Sequence, residues 1–436
     1  MPSLKTLAFA SISLSAVEVA ASTFSLAAEP VAGKVNEFVV EVELGTPPQK
    51  LPLVPDTGST DFWVFSTDTE SSYNNHTLWD IAKSTTARNL TGYTWRMSYG
   101  TGFADGANIY EDVVTLGGVP FPNQAIESAS RSDSVIDQKI SGIFGLEFRP
   151  DQTGVNEAGE HVKTWSSTHI NSLDQPLFTS HFKFNGGGSL DFGFIDNTKY
   201  TGSITYTPVT HDQHWMFNST GFKIGDDPVQ ELELQAVADT GSSGIFVPER
   251  VAKAYYRKVP TSVGGDNFKY EFKCGIPLPD FSFNVENTVI TIPGKYLDLG
   301  PSGRPENGYC LPAIQRGRTT VFGTPALQAA FVVYDVVHYY GKPLCKLGEL
   351  AIHLFNDSRV VAAYTVASVG PFIVDVLPVG KVNSNGLDLD EDLSGAWDNW
   401  LGHFNKGNKA SGLRYNGFHV RFDFLEDVDP EPFGNG

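Results

Sequence analysis

The chain has 436 residues, 41% of them hydrophobic and 12% aromatic, enough for two or three domains with real cores. Its 50 Asp and Glu against 31 Lys and Arg leave a net charge of −19, which argues against nucleic acid as a partner, since neutralising phosphates needs clustered Lys and Arg. An acidic surface suits a protein kept soluble at acid pH, where part of the carboxylate charge is lost, and it suits an ordinary soluble protein equally well.

In chain order, residues 1–21 read as a secretory signal: Lys5, an apolar stretch over 7–17 and the small pair Ala20-Ala21, with Glu18 as an interruption and a disordered tail as the alternative. Sequons beginning at Asn75, Asn89, Asn218 and Asn356 fit a secretory route and a glycoprotein. No uninterrupted apolar run approaches about 18 residues, so no membrane span is expected. With 43 Gly, 26 Pro and only short apolar runs, the chain reads as strands and turns.

One tetrapeptide occurs twice. Asp56-Thr57-Gly58-Ser59 returns as Asp239-Thr240-Gly241-Ser242, 183 positions later by subtraction (239 − 56). Each Asp follows a short apolar run, Leu51-Pro52-Leu53-Val54 or Leu234-Gln235-Ala236-Val237-Ala238, which reads as a buried strand ending in a sharp turn. The strand carries the acid inward, the glycine lets backbone N–H groups approach it, and the Ser or Thr hydroxyls can donate to its outer oxygens. An apolar-apolar-Gly step follows both copies, ending at Gly145 and Gly323, 89 (145 − 56) and 84 (323 − 239) residues on. The chain therefore reads as two related lobes sharing one carboxylate pair, Asp56 and Asp239.

These motifs resemble those of the pepsin-like aspartic proteases, closest to the secreted fungal enzymes of the penicillopepsin and aspergillopepsin kind. Further stretches carry the resemblance: Leu44-Gly45-Thr46-Pro47-Pro48-Gln49, Asp61-Phe62-Trp63-Val64, the flap-like run from Gly92 through Tyr99-Gly100-Thr101-Gly102, Asp191-Phe192-Gly193-Phe194-Ile195-Asp196 and Val332-Val333-Tyr334-Asp335. It spans about 38–335. It implies an all-β, bilobal pepsin-like acid protease fold with a cleft between two barrel-like lobes, divided as signal 1–21, a remnant or short pro-segment 22–37, lobes 38–205 and 206–350, and an atypical extension 351–436.

The same resemblance implies an aspartic-type endopeptidase acting on polypeptides through an activated water, without cofactor or metal, secreted and monomeric. Two carboxylates in contact cannot both ionise, a property for which aspartic protease dyads are themselves the standard example. One Asp would act as base and the other as acid. Thr57 and Thr240 would cross-link the two loops while Ser59 and Ser242 bond the carboxylates. Tyr99, Gly100 and Thr101 would form the flap over substrate, Trp63 would support the Tyr99 hydroxyl, and Ser243 would touch substrate beside the second motif. Thr101 offers no counter-charge for Lys, so large apolar residues are expected at the scissile bond. Of the three cysteines, Cys274 and Cys310 would pair and Cys345 is left over.

Other chemistries fit less well. Asp388-Leu389-Asp390-Glu391-Asp392 hints at a calcium loop, but Leu393 and Asn399 stand where Gly and Glu are needed, so a solvated acidic run is the better reading. No His or Cys pair has zinc-ligand spacing, and no Gly-x-Ser-x-Gly turn is present.

Four features depart from the family. Pro55 precedes the first Asp and removes a backbone donor. Thr324 follows Gly323 where many members have Asp. About 16 residues separate a cleavage point after Ala21 from Phe38, fewer than an inhibitory propeptide needs. The Gly- and Asn-rich end, 383–436, resembles nothing in the family and is expected to be peripheral, while part of 351–369 is expected to supply closing strands. The ends fit either a diverged member or an irregular gene model. The rival reading is a catalytically inactive peptide-binding protein that keeps the cleft.

Overall fold

The computed structural model describes residues 22–73, 75–133, 136–210, 214–264, 269–302 and 308–336, together with the backbone of strands at 349–354, 360–361, 413–415 and 418–420. The signal 1–21, Cys345, the Asn356 sequon and the acidic run from 388 lie outside the described residues.

Alternation of apolar and polar residues gives strands with one buried face, because successive side chains on an extended backbone point to opposite sides. Phe38–Leu44 buries Phe38, Val40, Val42 and Leu44 in this way, and Phe24–Pro30 buries Phe24, Leu26 and Ala28. The stretch 22–37 is thus built into the fold: Phe24–Pro30 lies between Gly188–Phe192 and Phe38–Leu44, antiparallel to both. The result is a 14-stranded sheet that continues through Leu177–Phe182 and Ala330–Asp335 to Glu349–Leu354. The last of these strands also pairs with Tyr206–Pro208 and with Val360–Val361.

The sequence repeat is a repeat of topology. In the first lobe the order is hairpin strand Phe38–Leu44, Asp56-bearing strand Gln49–Asp56, then Gly142–Gly145 in parallel, Phe62–Phe65 antiparallel to that, and Val119–Ala129 in parallel. In the second lobe, within a 7-stranded sheet, Met216–Ile224 pairs with Gln230–Ala238, which takes Thr320–Phe322 in parallel; Ile245–Val247 follows antiparallel and Ile314–Arg316 parallel. Each apolar-apolar-Gly step is therefore the strand wedged between the two sides of its own Asp loop. The fold is all-β and bilobal.

Pro55 does not break its strand. Phe144 sits opposite it in the parallel pairing and the strand runs on to Asp56. Residues 366–436 form a separate unit, in which the described backbone is one antiparallel pair, Leu413–Tyr415 with Phe418–Val420.

The main core is a continuous set of large rings and aliphatics that includes Phe38, Phe62, Phe144, Trp165, Phe178, Trp215 and Phe322, each almost fully buried. Burying each such side chain is worth about 1.5–3 kcal/mol relative to water, and this core anchors the sheets that carry the Asp loops. A second, smaller cluster of Trp63, Phe65, Trp95, Ala104 and Ile109 underlies the hairpin Tyr93–Tyr99 with Gly102–Gly106. Among the described residues no helix is long and apolar enough to cross a membrane. The sequon residues Asn75 and Asn89 are exposed, whereas Asn218 is half-buried with its side-chain oxygen enclosed.

Cys274 and Cys310 form a disulfide across a sequence separation of 36 residues, with Cα atoms 5.0 Å apart. It staples the strand Tyr270–Lys273 to Tyr309–Pro312, which also pair through the backbone. Replacing both cysteines by alanine should lower unfolding stability by about 3–4 kcal/mol, the loop-entropy value for a ring of this size, with m in urea titration rising as the denatured chain loses its cross-link. A loss under about 1 kcal/mol would mean that the backbone pairing alone holds this corner.

Candidate active site

The two Asp-bearing strands deliver their carboxylates to one place. Asp56 accepts hydrogen bonds from Ser59 Oγ (2.5 Å) and Gly58 N (2.9 Å), and Asp239 from Ser242 Oγ (2.6 Å) and Gly241 N (2.9 Å), so each acid has the same hydroxyl and amide donors. The glycines are there for space. A methyl group on Gly58 would stand 2.6 Å from Asp239 Cγ, and one on Gly241 would collide with the Asp56 carboxyl, so each loop passes against the opposite acid with no room for a side chain.

Under the acids, two threonines tie the loops together. Thr57 Oγ donates to the Ala238 carbonyl (2.8 Å) and accepts from Thr240 N (3.0 Å); Thr240 Oγ donates to the Pro55 carbonyl (2.6 Å) and accepts from Thr57 N (3.0 Å). All four bonds are buried, where a lost partner leaves a backbone group unsatisfied at about 1–3 kcal/mol. The Pro55 carbonyl is one of the acceptors, so the residue that breaks the family pattern still contributes to the cross-link.

The environments of the two acids differ. Asp56 is 6% exposed, while Asp239 is half-buried and opens to the cleft. Burial first, and the neighbouring Asp239 charge second, hold the Asp56 carboxyl well above the usual carboxylate range, against the opposing pull of Ser59 and Gly58. A buried acid that keeps its proton beside a more open one is what a divided acid–base pair needs.

Both carboxylates line a cavity of about 520 Å³, together with Tyr99, Gly100, Thr101 and Ser243. The pairing of Tyr99 with Gly102 leaves Gly100 and Thr101 as the two-residue tip of the hairpin. Trp63, grouped with the substrate-binding residues on sequence grounds, does not line the cavity. It is fully buried, and its indole N–H donates to Tyr99 Oη at 2.7 Å, so it acts through the tyrosine. Burial, then the charges of Asp61 and Asp56, push the Tyr99 hydroxyl well above its ordinary value, which keeps it neutral.

Several contributors had no sequence signal. Ile136, Ile140, Ile143, Met97 and Phe246 give the cavity an apolar lining, and Arg318 stands on its rim. Ile136, Ile140, Phe246 and Arg318 come from stretches that no motif marks, whereas Met97 sits in the flap-like run and Ile143 in the apolar-apolar-Gly step, neither singled out for a part in the lining. Thr324 Oγ donates to the Asn36 carbonyl at 2.5 Å, Asn36 donates back to the Ser243 carbonyl, and Gln328 donates to the Val35 carbonyl. The residue standing in place of a family Asp thus ties the segment before Phe38 to the loop after Asp239, by a donation that an ionised carboxylate could not make. Opposite Trp63 in the strand pairing, Glu127 is fully buried beside Asp61, takes the Gly154 amide at 2.9 Å, and is raised well above the carboxylate range by burial first and Asp61 second. Among the described residues no cluster of His, Cys, Asp and Glu could hold a metal ion.

Comparison with known proteins gives the same picture over most of the chain. The family model described as eukaryotic aspartyl protease matches residues 37–340. Endothiapepsin of Cryphonectria parasitica is 38% identical over 326 residues, covering 72% of this chain and 76% of its own. Penicillopepsin-1 of Penicillium janthinellum is 35% identical over 69% of this chain and 92% of its own, and aspergillopepsin-1 of Aspergillus oryzae is 35% identical over 72% and 80%.

The buried acids make stability depend on pH. Asp56, Glu127 and Asp335 are all raised, with burial the largest cause, and Asp335 reaches about 7. Unfolded, such groups ionise near pH 4. Above that the folded protein binds more protons than the unfolded one, so the stability these groups supply is complete below about pH 4 and is lost as pH rises toward 7. The urea midpoint should be higher at pH 4 than at pH 7, and Glu127→Gln, which keeps the acceptor for Gly154, should flatten the slope. A midpoint that climbs toward neutrality would contradict the assignment.

Proposed function

The chain belongs to the eukaryotic aspartyl protease family and is an aspartic-type endopeptidase; from that premise we propose that Asp56 and Asp239 are its catalytic pair, cutting polypeptides at acid pH with one water and one shared proton. The observation that carries the reading is the facing of a buried, proton-retaining Asp56 and a more open Asp239 across Gly58 and Gly241.

In this mechanism the Asp239 carboxylate removes a proton from the water as its oxygen attacks the scissile carbonyl carbon. Asp56 gives its proton to the carbonyl oxygen, and a neutral gem-diol results. Proton transfer to the nitrogen then makes the amine a leaving group; the C–N bond breaks, the diol loses its second proton to the dyad, and one shared proton remains. No covalent intermediate forms. The donors on each carboxylate and the threonine cross-link fix the acids against rotation, so little reorganisation is needed as charge moves. Closure of the Tyr99 hairpin excludes bulk water while the bond is cut.

The apolar lining from Ile136, Ile140, Ile143, Met97 and Phe246 favours large hydrophobic residues beside the scissile bond, and Thr101 at the hairpin tip offers no anion to a lysine. Pro55 and the C-terminal tail were the sequence arguments for a silent cleft, and the structure bears on the first. With the strand continuous to Asp56 and the Pro55 carbonyl held by Thr240, that argument loses its footing. The reading extends to secretion through the signal at 1–21, an acid compartment outside the cell, and a monomer.

Asp56→Asn and Asp239→Asn should each lower kcat on denatured haemoglobin at pH 3–5 by about 10⁴-fold or more, and the double variant should be no worse than either, because groups acting as a unit are not additive. Wild-type cleavage should be abolished by pepstatin. A folded wild type without pepstatin-sensitive cleavage, or an Asn variant retaining a tenth of the activity, would overturn the assignment.

A further inference from the structure

The cleft of this strongly acidic protein contains one unusual charge. Arg318 lies in the turn 317–319 between Ile314–Arg316 and Thr320–Phe322, in the same cavity as both aspartates. The turn is anchored: Gly317 N donates to the Val247 carbonyl at 2.9 Å, and the strands on either side both pair with Ile245–Val247. Its neighbour Arg316 is held by Glu249 at 3.3 Å. The Arg318 side chain is exposed and has neither ion pair nor hydrogen bond among the described residues. Glu37, which also lines the cavity, is paired with Lys34 at 2.7 Å.

The remaining charges in this cavity are carboxylates. Asp56, Asp239 and Glu37 all line it; Glu37 is paired with Lys34 and Asp56 holds its proton, so the repulsion an acidic substrate residue meets comes from the single negative charge of the dyad, which one cation can offset. A guanidinium offers a planar fork matched to a carboxylate, on a turn whose backbone is already fixed. We propose that Arg318 is a specificity-determining residue, giving the protease a preference for peptides with a Glu or Asp side chain within a few residues of the scissile bond, alongside the apolar residues that fill the cleft. The inference rests on the cleft being a peptide-binding site as read above. It predicts the order Glu over Gln over Lys at the position facing Arg318.

The test uses peptides with one apolar scissile pair and a single Gln, Glu or Lys placed in turn from three residues before to three after the bond. Cleavage by the full chain is read as kcat/KM at pH 5 and pH 3. Binding of reduced-bond analogues that cannot be cut is read in parallel by calorimetry. At one position Glu should exceed Gln by about threefold to fivefold at pH 5, the range expected of a solvent-exposed ion pair. The preference should vanish at pH 3, below the ordinary Glu value of about 4.3, and should weaken with added salt. It should disappear in Arg318→Gln and persist in Arg318→Lys. A Glu-to-Gln ratio of one or less at every position, or a ratio unchanged in Arg318→Gln, overturns the proposal. If no peptide is cut but the Glu analogue still binds more tightly through Arg318, the catalytic reading fails and this one stands.

Discussion

Four buried hydrogen bonds between Thr57 and Thr240 and the backbones opposite them hold the rest of the site in place. Each threonine donates once and accepts once, so the two loops are tied symmetrically and neither can rotate without stranding a donor or an acceptor away from water. The strands beneath are anchored in aromatic cores, and the carboxylates above can therefore be brought into contact although their mutual repulsion opposes it. A dyad is a high-energy arrangement of two acids. Its geometry persists because the surrounding structure over-determines it.

The inequality of the acids follows from the same placement. Asp56 closes a strand of the large sheet and is covered, whereas Asp239 follows a strand of the smaller sheet and faces the cleft. Equal donors on unequal backgrounds push the shared proton toward the better-buried partner, since desolvation penalises the charged form there. Glu127 repeats this logic on the strand that pairs with Trp63. The acid range proposed for the chemistry is then also the range in which these carboxyls stabilise the fold.

Much of this was legible in the amino-acid order, because the two Asp-Thr-Gly-Ser copies and their trailing glycines are local signals of tight turns and close approach. The strand–turn–Asp units follow from residue types at short spacing, whereas the hairpin at Tyr99 and the Trp63 contact to it were legible only through the resemblance to the family. What escaped depends on distant partners. Phe24–Pro30 reads as part of a remnant or short pro-segment until Gly188–Phe192 is set beside it. Thr324 looked like a lost Asp until the Asn36 carbonyl arrived at its hydroxyl. Pro55 looked disruptive because a sequence shows the missing N–H and not the carbonyl that Thr240 uses. Ile136, Ile140 and Arg318 have no meaning as a group until the fold sets them around one cavity.

The most direct measurement of the central claim, one proton shared by two fixed carboxylates, is the pH profile of kcat/KM on a peptide with no ionisable side chains. The account predicts a bell whose limbs belong to the pair, one below and one above the ordinary Asp value of about 3.9, with the upper limb set by loss of the proton that burial holds at Asp56. A profile with a single limb, or activity that rises to a plateau at neutral pH where both carboxylates are charged, would contradict it.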